Sequence, residues 1–134
     1  MVNVENVRLW VDALRSGKYE QTTGALHKIF INGGSGYCCM GVACEIAIDH
    51  GLDIDVRQTP DKVFYDGNSL WLPASVAGWL GIPEEAVVVW RDSQYSLANL
   101  NDGVRLSFGE IADIIEETYL TDHHDDILDL QYIR

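Results

Sequence analysis

The centre of the sequence reads Tyr37-Cys38-Cys39-Met40-Gly41-Val42-Ala43-Cys44-Glu45-Ile46-Ala47-Ile48. Its apolar residues include a stripe spaced for one helical face, so the run predicts a helix buried in the core. Gly41 lies inside this helix, where glycine costs about 1 kcal/mol relative to alanine. That cost indicates a close approach of another backbone segment. Gly51 is expected to end the helix, since glycine readily adopts the left-handed conformation.

Helices are also predicted on both sides of this central run. The first covers about residues 4–16, with Asn3 as its cap and Gly17 as its terminator. A shorter helix is predicted over residues 73–80, because proline is favoured in the first helical turn. The last helix begins with Ser107-Phe108-Gly109-Glu110, a capping box whose hydroxyl and carboxylate satisfy backbone amides reciprocally.

Short runs rich in β-branched and aromatic residues predict strands between the helices. The predicted strands are residues 26–31, 63–65, 69–72 and 87–90. The turn Asp66-Gly67-Asn68 predicts a hairpin between the second and third of them, and a loop is expected from Arg91 onward. We therefore expect residues 1–134 to form a single compact α+β domain, with about three main helices packed on a small, largely antiparallel sheet. The alternative is a mostly helical domain with one hairpin.

Composition narrows the class of protein. The 134 residues are 47% hydrophobic and 22% charged, which excludes collagen, a coiled coil and a disordered chain. No apolar run approaches the roughly 20 residues of a membrane span, and no secretory signal is expected from the N-terminal sequence. The cysteines Cys38, Cys39 and Cys44 are odd in number, which favours reduced thiols and a cytoplasmic location.

The charge of the chain restricts its partners. A formal net charge of −12 opposes direct binding to nucleic acid or to an anionic membrane. It is compatible with a basic protein partner, or with nothing more than solubility. Acidic residues are concentrated in residues 110–134, which hold eight acids and one base. The candidate partner-binding residues are Asp113, Glu116, Glu117, Asp122, Asp125, Asp126 and Asp129.

A glycine-rich turn is a candidate ligand site. Backbone amides in such a turn, followed by a helix start, can hold an anion. The candidate residues are Gly33, Gly34, Ser35, Gly36, Tyr37 and Cys38. The turn lacks the Gly-Lys-Ser/Thr ending of a Walker A loop, so a plain connecting turn is the other interpretation. An anionic ligand would need local backbone amides, or Arg57, Arg91 or Arg105, to offset the charge of the protein.

Two further patterns raise the question of a reactive cysteine and of a metal site. A helix start can lower the pKa of Cys38 or Cys39 and make it a nucleophile, but no protease or phosphatase signature accompanies these residues. Burial in the core is the other interpretation. The possible bases are His27, His50, His123 and His124. Because the last two histidines lie in an Asp-rich stretch that is typical of a solvated surface, we expect no metal site and no cofactor.

The order of three motifs resembles that of small proteins encoded by tailed bacteriophages and prophages. The motifs are Gly36-Tyr37-Cys38-Cys39-Met40-Gly41-Val42, Leu97-Ala98-Asn99-Leu100-Asn101-Asp102 and Ser107-Phe108-Gly109-Glu110-Ile111-Ala112-Asp113. The resemblance implies expression in a bacterial host cytoplasm and no particular reaction. Small phage proteins of this kind often interfere with host defence.

The leading functional prediction is a non-enzymatic, acidic binding protein. It would inhibit a host defence or nucleic-acid-handling protein by occupying a basic surface. The first alternative is a sponge that sequesters a nucleotide-like immune signal, and the second is a cysteine-dependent enzyme. A homodimer is also possible, since Tyr132 and Ile133 provide apolar residues near the C-terminus.

Overall fold

A computed structural model describes residues 1–121, in which helices alternate with short β-hairpins. The α-helices are Val4–Arg15 (α1), Cys39–Asp49 (α2), Ala74–Leu80 (α3) and Phe108–Ile115 (α4), with π-helices at Asn99–Val104 and Glu116–Leu120. The strands are His27–Ile29 (β1), Ser35–Tyr37 (β2), Val56–Gln58 (β3), Val63–Tyr65 (β4), Val87–Trp90 (β5) and Ser93–Ser96 (β6). No helix of this range is long and apolar enough to cross a membrane.

The predicted α+β class and antiparallel pairing are confirmed. The strands form three separate two-stranded antiparallel sheets, β1 with β2, β3 with β4 and β5 with β6. Helix α1 packs against α2, α3 and α4, and its Val7, Trp10, Val11 and Leu14 face the core. The sheets therefore lie around a helical centre.

Helix α2 is the buried centre that the sequence predicts. The indole N–H of Trp10 donates to the carbonyl oxygen of Cys39 at 2.8 Å, which ties α1 to the start of α2. A Cβ added at Gly41 would overlap the carbonyl oxygen of Leu26, so the close backbone approach is confirmed. Helix α2 begins later than predicted, because Ser35–Tyr37 is paired in a strand first.

The locally encoded helix ends are also confirmed. The side chain of Asn3 accepts the Asn6 amide at 3.1 Å at the start of α1. At the start of α4, Ser107 Oγ accepts the Glu110 amide at 3.2 Å, and Glu110 Oε1 accepts the Ser107 amide at 3.0 Å. All three hydrogen bonds join residues three positions apart, which is why the sequence alone predicts them.

The predicted hairpin between residues 63–65 and 69–72 is wrong. Asp66 and Gly67 do form a tight turn, with φ of 50° and 81°, but strand β4 pairs with β3 across the register Val56↔Tyr65. Residues 69–72 form no strand and lead into α3, with Leu70 and Trp71 exposed and Leu72 buried. The loop expected from Arg91 is also wrong, because left-handed Arg91 and Asp92 form a tight turn between β5 and β6.

Two side-chain amides, buried Asn101 and half-buried Gln21, join the starts of α2 and α4. Asn101 Oδ1 accepts the Cys39 amide at 3.2 Å and the Gln21 side-chain amide at 3.0 Å. Gln21 Oε1 in turn accepts the Phe108 amide at 3.1 Å. These side chains satisfy N–H groups that a helix start leaves without an intrahelical partner. The network holds the two helices in register.

Candidate functional site

The acidic residues chosen from the sequence fall into different environments. Arg15 Nη2 donates to Asp113 Oδ1 at 2.6 Å and to Glu116 Oε1 at 3.0 Å. The hydrogen bond from Arg15 holds the pKa of Glu116 below its usual range. Asp113 and Glu116 are therefore already paired within the molecule, while Glu117 is exposed and takes no part in an ion pair within residues 1–121.

The remaining acidic candidates Asp122, Asp125, Asp126 and Asp129 lie outside the described residues. The same holds for His123, His124, Tyr132 and Ile133. Within residues 1–121 no group of three or more His, Cys, Asp or Glu side chains is placed to hold a metal ion.

The glycine-rich turn is the tip of the β1–β2 hairpin. The Gly33 amide donates to the Phe30 carbonyl and the Gly34 amide to Asn32 Oδ1, both at 2.9 Å. Strand β2, which contains Ser35, Gly36 and Tyr37, separates this turn from helix α2. The predicted direct step from the turn into a helix start is therefore wrong, and two of its amides already have partners.

The three cysteines are buried free thiols. Burial raises the pKa of Cys38 to about 12 and raises the pKa values of Cys39 and Cys44 as well. Of the two interpretations of these cysteines, burial in the core is therefore the one that is confirmed. Desolvation disfavours the thiolate more strongly than the helix start favours it.

A buried chain of polar side chains links three elements, and the sequence analysis did not identify it. Tyr65 Oη donates to Glu45 Oε2 at 2.6 Å, and His27 Nδ1 lies 2.8 Å from Tyr65 Oη. The imidazole stacks on Tyr37, with ring centroids 4.0 Å apart. His27 is 9% exposed, and burial lowers its pKa, so the ring is neutral at pH 7.

This geometry assigns the tautomer of His27. The Tyr65 hydroxyl has one proton, which goes to the Glu45 carboxylate, so His27 Nδ1 carries its proton and donates to Tyr65. His27 Nε2 is then an acceptor, and it has no hydrogen-bond partner in the described part of the chain. The signal in the sequence is a histidine within the strand-like run of residues 26–31, in which Lys28 is the other polar residue. Its hydrogen-bond partner Tyr65 lies 38 residues away, beyond the reach of any local pattern.

An open cleft lies between the β4–α3 loop and the turn before β5. Its volume is about 540 Å³. The lining residues are Asn68, Trp71, Leu72, Ala74, Glu84, Glu85 and Ser96. Trp71 is 61% exposed on this cleft, whereas Leu72 beside it is buried. The cleft thus combines an exposed indole with two carboxylates.

A second open recess differs in its chemistry. It has a volume of about 520 Å³ and lies at the tip of the β1–β2 hairpin. Its lining residues are Ile29, Phe30, Ile31 and Asn32. Because none of these side chains is charged, this recess offers no preference for a partner of either charge.

Comparison with known proteins identifies a family and no function. A family model described as "Domain of unknown function (DUF8296)" matches residues 2–119. No curated protein and no solved structure matches the chain.

Proposed function

We propose that the chain, which belongs to the DUF8296 family of domains of unknown function, is an acidic binding protein of phage type. It inhibits a host defence or nucleic-acid-handling protein by occupying a basic surface of that protein, in the cytoplasm of a bacterial host. The observation that carries the proposal is a net charge of −12 together with exposed carboxylates that take part in no ion pair within residues 1–121.

The ion pairs of residues 1–121 support this interpretation. They join Arg15 to Asp113 and Glu116, and Arg57 to Asp55. Exposed acids such as Glu5, Glu84, Glu85 and Glu117 take part in none of these pairs. Their field attracts a positively charged surface and raises the rate of encounter with it, by about tenfold to a thousandfold in steered associations.

Proteins that handle nucleic acid carry the basic grooves that such a field would reach. A groove that neutralises phosphates is lined by Lys and Arg, whose charges also attract carboxylates. A protein that fills the groove competes directly with nucleic acid for it. Electrostatic steering would bring the two proteins together, and a few buried anchors would hold them.

The alternatives have less support. A nucleotide-like ligand at Gly33 and Gly34 would have to compete with the turn for two of its amides. A cysteine-dependent enzyme would have to act with thiols whose pKa values are raised by burial. Both alternative functions stay predictions.

The test combines capture with competition. The full chain, immobilised through an added tag, is incubated with lysate of bacterial cells, and bound proteins are identified by mass spectrometry. Each purified partner is then titrated against duplex DNA in the presence of the chain. We expect a basic partner that loses DNA as the chain is added, with an association rate that falls steeply as salt is raised.

Two results would overturn the proposed function. One is a partner that binds the chain and DNA at the same time. The other is an association rate that does not change with ionic strength, since binding would then not depend on charge.

A further inference from the structure

The cleft at Trp71 has an aromatic surface that lacks a partner. Within residues 1–121 its indole makes no hydrogen bond, ring contact or cation contact. Trp90 is the internal contrast, because the Arg91 guanidinium lies over its ring at 4.4 Å and Tyr95 packs against it. Within the described residues, Trp90 thus already holds an arginine, whereas the Trp71 ring has no such contact.

The backbone on both sides of Trp71 is anchored. The Ser69 carbonyl accepts the Leu26 amide at 2.7 Å, and the Pro73 carbonyl accepts the Ala77 amide at 2.9 Å. Leu72 is buried between these points. A side chain presented from a fixed backbone loses little freedom on binding, so its contacts contribute more of their strength to affinity.

The facing wall carries charge on a similarly fixed turn. Glu84 and Glu85 are the central residues of a turn closed by the Ala86 amide, which donates to the Pro83 carbonyl at 2.8 Å. Both glutamates are exposed and line the cleft. The ion pairs of the described residues do not involve either of them. An apolar ring beside two free carboxylates is complementary to a cation with a flat face.

We propose that this cleft docks an arginine-bearing basic segment of a partner protein. This inference rests on the proposed function and names the surface that performs it. A guanidinium is planar, stacks on an indole and bonds a carboxylate through two N–H groups, whereas an ammonium acts as a point charge. The segment places a guanidinium on the Trp71 ring, with its N–H groups directed to Glu84 and Glu85.

The test uses fluorescently labelled peptides and the full chain. One peptide repeats Arg-Gly-Ser, a second has Lys in place of Arg, and a third has Glu in place of Arg. Binding is measured by fluorescence anisotropy at low and at physiological ionic strength. We expect the arginine peptide to bind several-fold more tightly than the lysine peptide, and the glutamate peptide not to bind.

The variants separate the cleft from the general charge of the protein. Trp71→Ala is expected to weaken arginine-peptide binding about tenfold, and Glu84→Gln with Glu85→Gln by a similar factor. Leu70→Ala is the control for an exposed apolar residue outside the cleft lining, and Asp12→Asn with Asp53→Asn is the control for an equal change of charge at exposed acids outside that lining. Both controls should change binding less than about twofold.

Several outcomes would overturn the inference. One such outcome is that the control pair weakens binding as much as the Glu84/Glu85 pair while Trp71→Ala has no effect. Attraction would then be spread over the surface, so the cleft would not be the docking site, and the proposed function would stand. Equal binding of the lysine and arginine peptides would refute the role of the guanidinium. If no basic peptide binds at low ionic strength but a basic host protein is captured, the docking segment is not arginine-bearing. Failure of both capture and peptide binding would remove the proposed function as well.

Discussion

Two acidic regions of this molecule contrast with each other. At the contact of α1 and α4, Asp113 and Glu116 receive hydrogen bonds from Arg15. At the cleft, Glu84 and Glu85 have no such cation within the described residues and lie near an exposed indole. The residue types are the same, but the first region contributes to the fold and the second is available to a partner. A count of charges therefore does not locate an interface, because the internal partners decide it.

Internal partners matter most for polar groups in the interior, where we expect a substitution to have the largest effect on stability. Tyr65→Phe removes the hydroxyl that joins His27 to Glu45 and leaves buried His27 Nδ1 without its acceptor. We expect the free energy of unfolding to fall by about 1–3 kcal/mol, measured by urea denaturation. Tyr95→Phe is the control, since its hydroxyl makes no hydrogen bond within residues 1–121, and it should change stability by less than about 0.5 kcal/mol. Equal losses would break the contrast.

Charge reversal tests the cleft against the rest of the surface. Glu84→Lys with Glu85→Lys is expected to reduce the association rate with a basic partner at least about tenfold at low salt, because the local field changes sign. Reversal of Glu5 and Glu117 changes the net charge equally and should reduce the rate by about twofold to threefold. The rates are measured by surface plasmon resonance. Equal reductions would show that the cleft has no special role.

The pH dependence of stability separates the buried chain from both acidic regions. The pKa of His27 is lowered in the folded protein, so the unfolded chain binds this proton first as the pH falls. The free energy of unfolding should therefore decline from about pH 6.5, the ordinary histidine value, down to the lowered pKa. His27→Phe should flatten this part of the profile, measured by urea denaturation at each pH. His50→Gln, at an exposed site, should not.

The paired acidic region should contribute a modest amount of stability and nothing to binding. Arg15→Gln removes the cation that bonds to Asp113 and Glu116. Because these side chains are solvent-accessible, we expect a loss of about 0.5 kcal/mol in the free energy of unfolding. The affinity for a basic partner should not decrease. A tenfold weaker affinity would mean that Arg15 organises the interface after all.

The smallest expected effect is on the acid limb of the pH profile, which is the fall in stability against unfolding between pH 5 and pH 3. The pKa of Glu116 is lowered in the folded protein, so its contribution is present above the ordinary value of 4.5 and is lost as the pH falls through the lowered pKa. Arg15→Gln should reduce this decline without abolishing it, because hydrogen bonds from Ser75 and the Asp55 amide lower the pKa of Asp66 as well. Glu84→Gln with Glu85→Gln should leave the decline in place. Thermal unfolding between pH 5 and pH 3 measures it. An unchanged limb in Arg15→Gln would assign the decline to other carboxylates.

The site was less predictable than the fold, for a physical reason. Asp113 and Glu116 lie in the strongly acidic C-terminal part of the sequence, but the cation that pairs with them comes from α1, about 100 residues away. Trp71, Glu84 and Glu85 share a cleft only because the chain turns back through α3. No spacing rule connects these residues. The acids predicted as a binding site were therefore those in the most acidic stretch of the sequence, and the cleft was not among the predictions.

Features whose causes lie within a few residues could be predicted from the sequence. The cap at Asn3, the capping box at Ser107 and the apolar face of α1 follow from contacts three or four positions apart. Gly41 indicated a close backbone contact, because glycine is unfavourable inside a helix. The partners of groups that lie far apart in the sequence became known only from the folded structure. Strand β4 took β3 instead of residues 69–72, and the thiols at the start of α2 were desolvated. Burial and long-range pairing depend on which surfaces meet, and a linear pattern does not contain that information.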